Sequence, residues 1–190
     1  MKTPALESMS VDEFLDWESA DGLRYELRDG AVVAMAPVKP GHQILAARLA
    51  RYLDEALDDR PTCSVRAEAA IVPVDRDGVV HHADLAVTCR AHELEQRHTP
   101  DPMVIVEILS PSTEAYDRRV KLPDYRKIPS VEEIVLIAQD QLYCEVHRRF
   151  DEDRWQTDLL RTREAELRLA SIGFAQPLSA LYRKVAVEPS

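Results

Sequence analysis

The sequence predicts an α/β fold, and three stretches carry that prediction. Pro102 to Ser110 is a short, nearly continuous apolar run rich in β-branched residues, bounded by Asp101-Pro102 and by Ser110-Pro111-Ser112. That is the pattern of a strand buried on both faces of a sheet. His42 to Leu57, opened by Pro40-Gly41, carries Leu45, Leu49, Tyr52 or Leu53, and Ala56 at helical spacing. Arg24 to Arg28 and Ala31 to Met35 flank Asp29-Gly30, a dipeptide that tolerates the positive φ angles of a tight hairpin turn.

The remaining elements follow in order. Ser10-Val11-Asp12-Glu13 has the capping-box pattern and leads into Phe14, Leu15 and Trp17, so a short helix runs from about Val11 to Trp17. In the hairpin, Tyr25 and Leu27 share one face while Arg24, Glu26 and Arg28 share the other, which on pattern alone makes Glu26 a solvated strand residue in cross-strand charge pairs. Ser64 to Val74 reads as extended, Asp77-Gly78 as a turn, and Val79 to Val87 as the returning strand or pair of short strands. Thr113 to Leu122 looks helical, with a kink or a stop and restart at Pro123, whose ring removes a donor and crowds the preceding turn. Glu133 to Ala138 and Leu142 to Arg149 form a strand pair about Asp140-Gln141, and Arg154 to Leu160 adds a third strand. From Ser171 to Leu181 only short apolar spots remain, suited to covering the sheet without chemistry.

A chain of 190 residues suits a single domain over 1–190, with 1–8 and 184–190 as loose termini. No repeat or low-complexity tract breaks it. No stretch approaches the roughly 18 apolar residues needed to span a bilayer, and the first residues lack the apolar centre of a signal peptide. The expected location is the cytoplasm, with no membrane partner. Cys63, Cys89 and Cys144 are odd in number, far apart and without a C-x-x-C pair, so they read as reduced and mostly buried. The formal charge of -10 argues against a broadly basic nucleic-acid-binding surface. Binding of a polyanion therefore has to rest on a local basic patch, a divalent cation or a partner.

Two charges stand where apolar residues are expected. Glu107 lies near the carboxyl end of the Pro102–Ser110 run, where ligands collect in open α/β sheets, and an unpaired buried carboxylate there costs several kcal/mol. It calls for a cation, a metal or strong donors. Asp84 interrupts the run Val80 to Val87 in the same way, although an exposed sheet face would also explain it. Two carboxylates from neighbouring strands, a strand carbonyl and waters make the hard oxygen site that Mg²⁺ prefers, and a nearby ammonium orients water or stabilises developing charge. Lys121 is the candidate ammonium, though alone it reads as a solvated helix lysine. His42, in the first turn on the apolar face of its helix, reads as a structural histidine or as an accessory group.

The order Tyr25-Glu26-Leu27-Arg28-Asp29-Gly30, His42, Ala83-Asp84-Leu85, Val106-Glu107-Ile108-Leu109-Ser110-Pro111-Ser112-Thr113, then Asp117 and Lys121 closely resembles the Uma family of putative restriction endonucleases. That family looks like a compact branch of the PD-(D/E)XK nuclease superfamily. The likeness runs from about Met9 to Leu181, and Glu-Ile-Leu-Ser-Pro-Ser-Thr is its most specific piece. It implies a restriction-endonuclease-like α/β/α core with a central mixed sheet, an N-terminal helix and a β-hairpin. By position, Asp84 matches the acid of the first motif and Glu107 that of the second. Lys121 matches a lysine moved to the adjacent helix, since Leu109 stands where the superfamily lysine would be, and Glu26 matches an additional N-terminal acid. Ala83 replaces the usual proline before Asp84.

The resemblance implies a metal-dependent endonuclease hydrolysing DNA phosphodiester bonds. Asp84, Glu107 and the Ile108 carbonyl would hold Mg²⁺, for which Mn²⁺ can substitute. Lys121 would position water or neutralise charge, and Glu26 would hold a second metal or accept a proton. His42 and Asp117 are accessory, DNA is the partner, and a homodimer would address two strands. Two rival readings are a catalytically silent nuclease-fold module that binds nucleic acid or protein, and a phosphodiesterase acting on a smaller nucleotide.

Overall fold

The computed structural model describes residues 8–187. Its centre is a six-stranded mixed sheet with spatial order β3-β4-β5-β6-β7-β8. The strands are β3 (Ser64–Ile71), β4 (His81–Thr88), β5 (Pro102–Leu109), β6 (Glu133–Ala138), β7 (Cys144–Arg149) and β8 (Trp155–Leu160). Neighbours are antiparallel except β5 and β6, which run parallel with Glu107 beside Leu136 and Ile108 beside Ile137. A parallel pair needs a crossover, and the helical segment between the two strands supplies it. The apolar runs of β5 and β6 are buried almost throughout, as strands covered on both faces must be.

One face is covered by α2 (Pro40–Glu55), whose Leu45, Leu49 and Leu53 pack against Leu85, Val106, Ile108, Val135 and Ile137. The C-terminal segment completes that layer with a hairpin, β9 (Glu166–Leu169) and β10 (Phe174–Pro177), and a last helical turn at Leu178–Leu181. This hairpin refines the expectation of loose apolar spots. Leu167, Leu169, Phe174 and Leu178 alternate inward and are all buried in the core. The other face is covered by α3 (Glu114–Tyr116), a π-helical turn (Asp117–Lys121) and α4 (Leu122–Lys127), with Leu122, Tyr125 and Ile128 packed on Ile105, Leu109, Ile134 and Leu136. The α/β/α layering expected from the family is thus present.

Pro123 explains the irregular helix. The turn before it widens so that the Leu122 N–H bonds to the Asp117 carbonyl five residues back, and α4 then restarts with Pro123 in its first turn, where no helical donor is required. The expected stop and restart is therefore a π turn that keeps the backbone helical throughout.

The N-terminal part forms a lobe against the start of β4. α1 (Val11–Asp16) begins with the capping box, Ser10 and Glu13 satisfying each other's backbone N–H groups. β1 (Tyr25–Arg28) and β2 (Ala31–Ala34) pair about Asp29 and Gly30, both at positive φ. Leu27 of β1 bridges Val80 by two backbone hydrogen bonds of 2.9 and 3.1 Å. Gly30 donates to the Gly78 carbonyl at 2.8 Å, and a Cβ on Gly78 would lie 2.9 Å from the Gly30 nitrogen, so the two turns dock only because Gly78 lacks a side chain.

The cysteine expectation is corrected in part. Ser64 pairs with Thr88 at one end of the β3–β4 ladder, which brings Cys63 and Cys89 opposite each other, and they form a disulfide. Cys144 is free and buried, as expected. The loose termini expected at 1–7 and 188–190 lie outside the described residues. Ser8 reaches Gly30, and Val185 and Val187 pack against the main core.

Candidate active site

Glu107 sits one residue from the middle of its apolar neighbours Val106 and Ile108, and its side chain is 3% exposed. Alternation puts it on the face covered by α4, where the Tyr125 hydroxyl donates to its Oε1 at 2.6 Å. Lys121 Nζ approaches the same oxygen at 3.2 Å. Both neighbours come from the crossover between β5 and β6, one helical turn apart. Burial pushes the Glu107 carboxyl well above the usual range; Lys121 opposes the shift, while the charges of Asp117 and Asp84 add to it.

Asp84 lies on β4 next to Glu107, where the β4–β5 ladder ends. Its Oδ2 accepts the Ile108 N–H at 2.6 Å, replacing a strand-to-strand bond, and its Oδ1 meets His42 Nε2 at 2.9 Å. His42 reaches it because the first turn of α2 lies over the ends of β4 and β5 with the helix's apolar side facing the sheet.

Lys121 is the hub. It is 4% exposed, and its ammonium lies 2.8 Å from Glu26 Oε1, 3.2 Å from Glu107 and 3.6 Å from Asp117, and donates to the His82 carbonyl at 2.9 Å. Burial alone would lower its pKa, but Glu107, Glu26 and Asp117 outweigh that and hold it above the ordinary lysine value. Asp117 is itself pushed up by burial, against the pull of Lys121.

Glu26 is where pattern reading failed. It is 1% exposed, not solvated. Its Oε1 also accepts the His82 N–H at 3.2 Å, and its Oε2 takes the Arg28 guanidinium at 2.7 and 3.1 Å. Burial works against its charge, yet Lys121 and Arg28 hold its carboxyl down at about 2. The Arg28 guanidinium in turn stacks 3.7 Å over the Tyr116 ring.

The structure therefore gathers Glu26, His42, Asp84, Glu107, Asp117 and Lys121 around one cavity of about 260 Å³, which Ile108 also lines. Within the ion-paired cluster two cations, Lys121 and Arg28, face four carboxyls, Glu26, Asp84, Glu107 and Asp117, and Arg24 and Lys39 line the cavity beyond it. Asp84 and Glu107, with their carboxyls side by side on β4 and β5, are the residues that could hold a divalent cation. Among the described residues no three His, Cys, Asp or Glu side chains form a ready-made metal cage.

The sequence profile of a family described as "Putative restriction endonuclease", Uma2, matches residues 11–179. This chain belongs to the Uma2 family. It is 27% identical over 181 residues to the uncharacterized protein slr1290 of Synechocystis, covering 94% of this chain and 93% of that one. It is 23% identical over 162 residues to a second Synechocystis protein, sll1609, covering 84% and 91%. Among solved structures it resembles the crystal structure of a putative nuclease belonging to DUF820 from Anabaena variabilis. That likeness has a TM-score of 0.67, covers 92% of this chain and 97% of the other, and at 14% identity it speaks for the shared fold.

Three site groups received no role from the sequence. Tyr125 follows Lys121 by four residues, the spacing that places two helical side chains on one side, so its presence beside Glu107 was open to inference. Arg28 shares a strand face with Glu26 and stands in the motif that carries the resemblance, which names no task for it; the structure pairs it with Glu26. Gln139, just past the end of β6, offered no pattern at all.

Proposed function

We propose that this Uma2 protein is a metal-dependent endonuclease that hydrolyses DNA phosphodiester bonds. The observation that carries the proposal is the buried ion cluster at the carboxyl end of β5, in which two cations face four carboxyls. Asp84, Glu107 and the Ile108 carbonyl are the oxygens that would hold Mg²⁺, or Mn²⁺ in its place. A bound ion would supply polarisation of a phosphate oxygen and a more acidic water.

The chain's own groups have separable tasks. Lys121 keeps its proton, so it serves as a fixed positive charge for the negative charge that builds up on the phosphate, and not as a base. Glu26 bonds Lys121, the His82 N–H and Arg28, which makes it the group that holds Lys121 in place. His42 and the Ile108 N–H fix the two oxygens of Asp84. Asp117 restrains Lys121 from one helical turn away.

DNA as partner meets the difficulty of a net charge of -10. Arg24, Arg28 and Lys39 line the cavity, a local basic rim that favours a phosphate backbone at this place. Cutting both strands of a duplex calls for two such centres, which a homodimer would supply. The reading is tested with purified protein on supercoiled plasmid and on single-stranded DNA in Mg²⁺ or Mn²⁺, beside Glu107→Gln. The expected result is metal-dependent strand cutting that EDTA and Glu107→Gln both abolish; equal cutting by the variant, or none by the wild type, overturns it.

A further inference from the structure

A second part of the same cavity holds a buried group that the proposed chemistry does not use. Ile137 packs in the core beneath α2, and two residues later Gln139 follows the same side of the chain toward the helix start. A Cβ on Gly41 would lie 3.1 Å from the Gln139 carbonyl oxygen, so the first turn of α2 sits directly on this residue. Gln139 lines the cavity, is 3% exposed, and among the described residues neither its Nε2 nor its Oε1 has a hydrogen-bond partner. A buried amide left unpaired on both atoms is costly, and such a group in a site wall points to a partner that arrives with a ligand.

The surroundings specify the ligand's charge. α2 is 16 residues long, has no side-chain cap and no acidic residue in its first turn, and begins with Pro40, so the Gly41 and His42 N–H groups are the donors its start leaves unpaired within the helix. Lys39, at the cap position, is exposed, lines the cavity and has no ion pair among the described residues. The hydroxyls of Ser110, Ser112 and Thr113 lie on the adjoining wall, at the end of β5 beside Gln139. Lys39 and these donors stand together here, and two carboxylates border them, Asp84 through His42 and Asp117 through Thr113.

We propose that the start of α2, Lys39, Gln139 and the Ser110–Thr113 hydroxyls form a second phosphate-anchoring subsite. It holds a phosphate that flanks the one being cleaved. The inference rests on the phosphodiesterase reading and narrows its substrate class to strands carrying at least two phosphates, to the disadvantage of lone phosphodiesters.

Two measurements test it. The first is binding of inorganic phosphate to the metal-free protein by calorimetry, for wild type, Lys39→Ala and Gln139→Met, the last preserving side-chain volume without the amide. Each variant is expected to bind about tenfold more weakly, the effect of losing one charge-assisted hydrogen bond. The second compares KM for the dinucleotide TpT with that for pTpT and TpTp. Wild type should favour one phosphorylated form by about tenfold, and the preference should collapse in both variants. Phosphate binding that is unchanged in the variants, or a flanking-phosphate preference that survives them, overturns the subsite. Turnover of no dinucleotide and no DNA, with phosphate binding lost in the variants, overturns the phosphodiesterase reading instead and leaves the anion site standing.

Discussion

Lys121 Nζ lies 2.8 Å from Glu26 Oε1, joining a helix that follows β5 to a hairpin almost a hundred residues earlier in the chain. The contact ties the N-terminal hairpin to the crossover between β5 and β6. It also fixes the charge state of both groups, each favouring the ionised form of the other.

Replacing Lys121 should therefore damage the fold as well as the chemistry. Lys121→Met leaves Glu26, Glu107 and Asp117 without their shared counter-ion, and breaking a buried pair on one side costs about 3–5 kcal/mol. Urea denaturation at neutral pH should show a loss of this size, shrinking as the pH falls and the carboxyls take up protons. A variant as stable as wild type at neutral pH would mean that the ammonium is not the hub of the cluster.

Glu26 makes a prediction about pH. Its folded value of about 2 lies below the ordinary 4.5, so the folded state binds its proton less readily than the unfolded chain does. The stabilisation is fully present above pH 4.5 and fades as the pH falls toward 2. Glu26→Gln should thus be less stable than wild type by about 2–3 kcal/mol at pH 7, with the gap closing through that window. Chemical denaturation midpoints at a series of pH values measure it, and a gap independent of pH would contradict the assignment.

The disulfide is open to direct chemical count. Unfolded but unreduced protein should present one reactive thiol, Cys144, and reduced protein three. The bridge spans 26 residues, so its removal by Cys63→Ser with Cys89→Ser should cost about 3 kcal/mol. Three thiols without reduction would restore the reduced state that the sequence suggested.

What the sequence disclosed depended on how local the determining physics is. Glu107 and Asp84 stood out because a charge inside an apolar strand is anomalous wherever that strand lies. The Asp29-Gly30 turn, the capping box of α1 and the leucine face of α2 were equally local, and each forms as expected. Strand alternation alone puts Glu26 in solvent because it names a face and not what covers it, whereas the family likeness marks it as a site acid. Its burial comes from the bridge between Leu27 and Val80 and from two glycine turns that meet across the lobe. The Cys63–Cys89 bond was hidden for the same reason, since 26 residues of chain separate two positions that a β3–β4 ladder makes neighbours. Lys121 lay between these cases. The family likeness pointed to it, but only the π turn before Pro123 accounts for how it aims inward past a proline.

Tyr125 bears on which oxygen of Glu107 faces the cation. The phenol at 2.6 Å and the ammonium at 3.2 Å both engage Oε1; among the described residues no donor bonds Oε2, the oxygen that would meet the metal under the proposed function. Burial and the charge of Glu107 hold the phenol's pKa far above its ordinary value, so it acts only as a donor. Tyr125→Phe keeps the ring in its core position and removes that donor. Groups that orient a metal-binding carboxylate typically change metal affinity by about 10–100-fold when lost. Mn²⁺ affinity, measured by calorimetry without substrate, should weaken by at least the lower of these factors, while thermal unfolding of the metal-free protein shifts only by the equivalent of about 1 kcal/mol. A structural ring would give the opposite pattern, with lowered stability and an unaltered Mn²⁺ affinity. That outcome would remove Tyr125 from the site and make Lys121 the sole group that orients Glu107.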